Sequence, residues 1–287
     1  MADKNSSKNN FIMQAGILAA AGIISRIIGL LYRGPLQSVI GNLGLGYYQS
    51  AYNYYTIILL ISSYSIPSAI SKAIAQKLGE KEYRNAHRLF HGAMIYVLVV
   101  GGIASLFLFF GAGLFVSGAA VTVLRTFAPT IFVYGILGVL RGYFQAHSTM
   151  MPTSISQILE QAARIGSVIL LYRIFIQESR AITPSLAVLG LLFGEAASAL
   201  FMLHFTVSEK RSTLPLSALR IQCRKILSMA LPLTGSRLSL TLLQSAEAVL
   251  IPVSLQTSGL SISESLSLYG ILTGMSLSFL MFPNAVT

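Results

Sequence analysis

Three arginines, Arg26, Arg33 and Arg237, lie inside or at the end of stretches otherwise apolar enough to cross a bilayer. An ionisable side chain at mid-membrane costs roughly 2.5–3.5 kcal/mol on insertion scales, so each one marks a candidate functional group. Arginine suits a diphosphate: its planar fork donates two parallel hydrogen bonds and stays charged at any working pH. Arg26 and Arg33 are seven residues apart and share a helix face, and no acid on the same helix is in register with Arg26 or Arg237. A cavity with several such arginines would hold an anionic head group.

The intramembrane acids read differently. Glu160 and Arg164 stand at i,i+4 and either neutralise each other along one helix or work on a substrate or ion. Glu195 is alone in its span; it binds a proton or sodium ion, or pairs with an arginine of another helix. Glu247, near the outer end of its span, is the second candidate for ion coupling, or simply reaches water. Three helices carry polar stripes: Gln49, Asn53, Thr56 and Ser63; Thr153, Gln157, Glu160 and Arg164; Arg237, Thr241 and Gln244. Such stripes bond neighbouring helices or line a shared aqueous cavity. Three together, each with charge or amides, favour the cavity.

Enzyme signatures are missing, and no cofactor is called for. No nucleophile–base–acid set or aspartate-rich cluster occurs, and the glycine-rich pieces lack the Lys-Ser/Thr of a phosphate loop. His87 and His91 are four apart at a basic loop-to-helix junction and read as a solvated helix start, so no metal site is expected. The single cysteine, Cys223, has no partner for an internal disulfide.

The elements that must carry these residues are membrane helices. The 287 residues are 54% hydrophobic and 10% charged, whereas soluble domains carry roughly 25% charged residues. The fold class is therefore an all-α membrane protein. A bilayer core of about 30 Å needs roughly 20 apolar residues per helix. Eight stretches qualify: Phe11–Leu31, Tyr47–Ile70, Leu89–Phe115, Thr122–Phe144, Thr153–Ile176, Leu186–Phe205, Ile226–Leu255 and Leu266–Val286. Most of the 20 Lys and Arg residues fall in the N-terminal tail and in alternate connections, among them Lys4, Lys8, Lys72, Lys77, Lys81, Arg84, Arg88, Arg141, Lys210 and Arg211. That bias predicts a cytoplasmic N-terminus, and it explains the net charge of +11 without a nucleic-acid partner.

A short internal repeat adds an architecture. Ile66-Pro67-Ser68-Ala69-Ile70-Ser71 is echoed by Phe282-Pro283-Asn284-Ala285-Val286-Thr287, and Ser25-Arg26 by Ser236-Arg237. Six spans separate the copies, so both enter the membrane with the same orientation, as in transporters built of two parallel lobes around a central cavity. The expected organisation is a six-helix lobe over residues 1–210, a basic cytoplasmic linker over 211–225, and the first hairpin of a second lobe over 226–287. The chain then reads as a fragment of a longer protein that would not transport alone.

Ile24-Ser25-Arg26-Ile27-Ile28-Gly29 with Arg33 resembles the first-helix signature of the multidrug/oligosaccharidyl-lipid/polysaccharide (MOP) flippase superfamily. Arg141-Gly142-Tyr143-Phe144-Gln145, followed by Pro152-Thr153 and Ser156-Gln157-Ile158-Leu159-Glu160-Gln161, is similar to the branch of stage V sporulation proteins B and Gram-positive lipid II flippases. The resemblance implies a two-lobed protein that moves a lipid-linked, diphosphate-bearing sugar precursor across the plasma membrane by alternating access. It implies that Arg26 and Arg33 line the cavity, at a spacing one residue longer here. Two departures stand out: the second-helix acid of Gram-negative flippases is replaced within Gly46-Tyr47-Tyr48-Gln49, and their eighth-helix arginine falls at Ser278, a charge that Arg237 would supply.

The expected function is a flippase for a polyprenyl-diphosphate-linked oligosaccharide, lipid II or a polysaccharide precursor. Arg26, Arg33 and Arg237 would bind the diphosphate. Gln49, Asn53 and Gln157 would contact sugar, with Glu160 and Arg164 in the cavity wall, and H+ or Na+ coupling would fall to Glu195 or Glu247. The partners are then the lipid-linked substrate and membrane lipid. A cation-coupled multidrug exporter of the same fold is the alternative, though its cavity should be acidic and here arginines are at least as numerous as acids. A membrane interaction protein without transport is the other.

Overall fold

The computed structural model describes residues 2–179, 182–206 and 216–280. All regular structure among them is helical. The expected first two spans are α1 (Ala2–Leu31) and a long rod made of α2 (Arg33–Leu59), a π-helical turn at Leu60–Tyr64 that we call π1, and α3 (Ile66–Gly79). Gly41 breaks α2 with φ 73° and ψ 171°, a backbone that only glycine adopts without strain. Pro67 opens α3, where its missing N–H removes no helical bond. Then come α4 (Tyr83–Phe115), α5 (Ala119–Ala146), α6 (Met150–Gln177) and α7 (Ser185–Thr206).

Next comes α8, one continuous helix over Leu216–Thr257, so the later part of the expected basic linker forms its first turns. It continues with α9 (Ile262–Ile271), a second π turn π2 (Leu272–Ser276) and α10 (Leu277–Leu280). The echo at Phe282–Thr287 and the basic pair Lys210 and Arg211 lie outside the described residues. The two π turns fall in the second and the eighth expected spans.

Six rods among the described residues are long and apolar enough to cross a membrane: Met13–Leu31, Arg33–Gly79, Tyr83–Phe115, Ala119–Ala146, Ser185–Thr206 and Ala230–Thr257. Helix α6, the expected fifth span, has 28 residues, about 42 Å at 1.5 Å per residue, but carries Glu160, Arg164 and Arg173. The eighth expected span is the rod of α9, π2 and α10.

Packing follows membrane logic, in which small residues let backbones approach. Gly138 and Gly142 seat α5 on Pro67, and a Cβ at Gly142 would stand 2.7 Å from the Pro67 carbonyl oxygen. Gly190 and Gly194 seat α7 on α6, and Gly270 and Gly274 seat α9 and π2 on Leu45 and Gly46 of α2. Each pair has the spacing Gly-x-x-x-Gly. One apolar core joins α3, α4 and α5 around Ile70, Ile74, Leu89 and Leu140; a second joins α2, α5 and α7 around Tyr55, Leu124, Phe127 and Val188. On α4 the side chains of Ile103, Leu106, Phe110 and Leu114 point outward, as a lipid-facing surface requires.

Candidate functional site

Gly190 and Gly194 seat α7 on α6 and α5 packs against both, so the polar side chains of the three helices meet. Arg141 of α5 donates from Nε to Ser156 Oγ at 2.9 Å and from Nη2 to Glu160 Oε2 at 3.0 Å and Ser198 Oγ at 3.1 Å. Arg164 reaches the other carboxylate oxygen of Glu160 from Nη2 at 3.2 Å. Ser198 donates to the Ser156 carbonyl at 2.9 Å, tying α7 to α6. The i,i+4 pair read from the sequence therefore exists, and Glu160 is shared with a second helix, α5.

Glu195 lies one residue beyond Gly194, whose closest neighbours are the Glu160 carbonyl and the Arg164 backbone. It is buried, at 3% exposure, and its Oε2 has no hydrogen-bond partner. No ion pair involves it among the described residues. Glu247 is exposed on α8.

Helix α1 lies along α6. Gly22 faces Gln157 and Gly29 faces Gln161, with the two side-chain carbonyls 3.8 and 3.6 Å from where Cβ atoms would stand. Ser25 Oγ, Tyr32 OH, Gln157 Oε1, Gln161 Oε1 and Arg164 Nε are buried along this side without partners. Arg26 is exposed, and no ion pair involves it among the described residues.

Other polar contacts join the rod of α2 and π1 to α8, α9 and π2. Arg33 donates from Nη1 to the carbonyl of Gly274 in π2. Arg237 donates from Nη1 to Tyr64 OH at 2.9 Å, its guanidinium carbon 4.9 Å from the centre of that ring. Tyr64 belongs to π1. Next to it Thr234 Oγ1 donates to Ser65 Oγ at 2.9 Å, and nearer the other end Asn53 Nδ2 donates to Tyr269 OH at 2.7 Å.

The polar stripes thus divide by neighbour. Gln49 is buried, Asn53 turns to α9, Thr56 bonds the Tyr52 carbonyl in its own helix, and Ser63 faces Gly101 and Gly135. On α8, Thr241 bonds the Arg237 carbonyl and Gln244 is exposed. Sequence reasoning missed Arg141 and Ser198. Arg141 was assigned to a cytoplasmic connection, yet it sits inside α5 with a side chain only 15% exposed; its place three residues inside a predicted span was the available signal. Ser198, one turn beyond Glu195, carried none.

The described helices form an all-α membrane fold. It matches a MATE transporter crystal structure over 96% of this chain and 62% of that one, with a TM-score of 0.69 at 16% identity. It also matches a MOP superfamily transporter from Pyrococcus furiosus over 95% of this chain and 65% of that one, with a TM-score of 0.65 at 16% identity. The family model described as polysaccharide biosynthesis protein matches residues 12–275, and the chain belongs to that family. It is 29% identical over 298 residues to stage V sporulation protein B of Bacillus subtilis, covering 98% of this chain and 56% of that protein. To the Bacillus subtilis lipid II flippase MurJ it is 31% identical over 162 residues, 52% of this chain and 30% of the flippase. The chain spans little more than half the length of the first relative and less than a third of the second.

Proposed function

We propose that this chain supplies one six-helix lobe and the opening hairpin of a second to a flippase. Its substrate is a polyprenyl-diphosphate-linked oligosaccharide, carried across the plasma membrane by alternating access for cell-wall or polysaccharide synthesis. The observation that carries this reading is the balance of intramembrane charge. Arg141 and Arg164 lie with Glu160 and Glu195 between α5, α6 and α7, two cations with two acids. Arg26, Arg33 and Arg237 lie outside that set, and Arg237 donates to the neutral hydroxyl oxygen of Tyr64. An arginine held by neutral partners keeps its attraction for an anion, and a diphosphate is the anion that several arginine forks fit. The names of the relatives, a lipid II flippase and a polysaccharide biosynthesis family, support the same substrate class.

In this reading Arg26, Arg33 and Arg237 take the diphosphate, and Gln49, Asn53 and Gln157 meet the sugars. Glu160 and Arg164 belong to the wall, Glu195 or Glu247 carries the coupling proton or sodium ion, and the N-terminus is cytoplasmic. Native mass spectrometry of the full-length protein tests it. A co-purifying polyprenyl-diphosphate sugar, lost in Arg26→Ala, is the expected result. Bulk phospholipid alone, together with complementation unaffected by Arg26→Ala, Arg33→Ala and Arg237→Ala, would overturn it. The MATE-like fold and the buried Glu195 favour cation-coupled drug export as the second reading. Drug efflux abolished by Glu195→Gln alone would establish that one instead.

A further inference from the structure

Helix α2 carries a run of tyrosines whose rings gather at one place. Tyr48 and Tyr52 lie nearly parallel, their ring centres 6.0 Å apart and their planes 11° apart. Both lean on Phe127 of α5, at 5.4 and 5.9 Å, and Tyr52 also touches Tyr55. Tyr55 and Leu59 are packed into the core shared with α5 and α7, whereas Asn53 turns to Tyr269 of α9. At about 3.6 residues per turn, Tyr52 and Thr56 occupy the strip of α2 between those two faces. Tyr52 is left 39% exposed there.

Tyrosines near a span end commonly turn to the lipid head groups. Tyr48 instead turns inward, close enough to Arg33, Arg164 and Glu195 to interact with their charges. Tyr32 interacts in the same way with Tyr48 and Arg164. The Tyr32 hydroxyl and Arg164 Nε are buried without hydrogen-bond partners, and buried polar atoms call for a partner, either water or a ligand. Parallel rings therefore stand beside unused hydrogen-bonding groups.

A pyranose fits that combination. One of its faces is a patch of C–H groups, which the negative face of an aromatic ring attracts, and its rim is hydroxyls that need donors and acceptors. A polyprenyl chain would cover the rings and leave the Tyr32 hydroxyl and Arg164 Nε unanswered. A cation would also seek the ring faces, but beside Tyr48 it would meet two arginines and one carboxylate.

We propose that Tyr48 and Tyr52 form a stacking platform for a sugar ring of the lipid-linked substrate, with Tyr32 and Arg164 bonding its hydroxyl rim. This assignment rests on the proposed substrate class and adds to it an apolar face, which the amides of Gln49, Asn53 and Gln157 cannot supply.

Two ligands of equal charge separate the platform from the diphosphate site: farnesyl diphosphate esterified at its far phosphate with methyl, or with N-acetylglucosamine. The full-length protein in nanodiscs should bind the sugar ester about tenfold more tightly than the methyl ester, the size of one good aromatic contact. Tyr52→Leu should cut that margin to about threefold or less and leave methyl-ester binding unchanged, whereas Tyr52→Phe, which keeps the ring, should retain it.

No margin in the parent, an unchanged margin in Tyr52→Leu, or equal losses for both esters would overturn the platform while the diphosphate reading stands. Tetraphenylphosphonium binding lost in Tyr52→Leu with the sugar margin intact would give the rings to a cation and overturn it too. No binding of either ester to the parent would overturn both readings. Should Tyr52→Leu not fold, Tyr52→Trp decides: its larger face should widen the margin, and a narrower one overturns the platform.

Discussion

Glu160 receives guanidinium groups from two helices, at 3.0 and 3.2 Å, with its own side chain 14% exposed. Taking one partner out of a buried ion pair costs roughly 3–5 kcal/mol, because the remaining charge keeps its desolvation without its attraction. Partial exposure places Glu160→Gln near the lower end, so we expect about 3 kcal/mol of lost stability, read as a lower thermal midpoint in nanodiscs. A second change, Arg164→Gln, should restore part of that loss, since it removes one of the stranded cations. A single variant no less stable than the parent would show that the network is water-filled and weak. The Glu160–Arg164 half of this cluster is legible from spacing, because four residues along a helix is a fixed distance. The Arg141 half is not, because the angle between α5 and α6 is set by packing.

Glycine sets the seam between α6 and α7. A Cβ at Gly194 would stand 2.6 Å from the Glu160 carbonyl oxygen and 3.1 Å from the Arg164 Cβ. A backbone atom cannot swing aside as a side chain does, so Gly194→Ala should cost about 1–3 kcal/mol, as overpacking does. Gly16→Ala is the control: nothing lies within 4 Å of that position in α1, and alanine there should be neutral or stabilising by up to about 1 kcal/mol. Equal midpoints for the two variants would remove the close α6–α7 seam from the account.

The start of α9 gives a pH-dependent test. Ser261 caps the helix by accepting from the Glu264 N–H, while the Glu264 carboxylate accepts from the Ser261 hydroxyl and backbone N–H. These bonds, the hydroxyl first, hold Glu264 below the usual carboxylate range. A lowered folded value means that the contribution is present at pH above the ordinary glutamate value and is lost as pH falls through the lowered one. Amide exchange at the first turn of α9, corrected for intrinsic rate, should therefore quicken in acid. Glu264→Gln should abolish that pH dependence, and its persistence in the variant would point to another group.

The molecule as a whole is a membrane protein whose connections alternate between two sides. In the proposed orientation, which rests on the basic bias of the loops, the turns around Lys81 and Ser148 would face the cytoplasm and the turn around Ser258 the outside. In a Cys223→Ser background, a membrane-impermeant thiol reagent applied to intact cells should label Ser258→Cys and leave Lys81→Cys and Ser148→Cys unmodified. The reverse pattern would invert the orientation and, with it, the direction in which the proposed substrate moves. The contacts of the rod of α2, π1 and α3 with α8 and α9 belong to this level too, because Asn53–Tyr269, Ser65–Thr234 and Tyr64–Arg237 each pair residues more than a hundred and fifty positions apart and no local pattern encodes them.

Apolar run length was readable because hydrocarbon imposes it: every span must be long enough and must close its own backbone hydrogen bonds. For that reason Phe11–Leu31 and Leu89–Phe115 emerged close to α1 and α4. Gly-x-x-x-Gly pairs at 138, 190 and 270 were visible as glycine and silent about which helix each would meet. Hydropathy counts a charge by its position along the chain and not by the face it occupies, so Arg141 read as a loop residue. Which carboxylate meets which arginine, and that Arg33 and Arg237 end on π2 and π1, depends on the rotation of each helix about its axis. Packing against distant glycines and tyrosines sets that rotation, and only the folded molecule contains it.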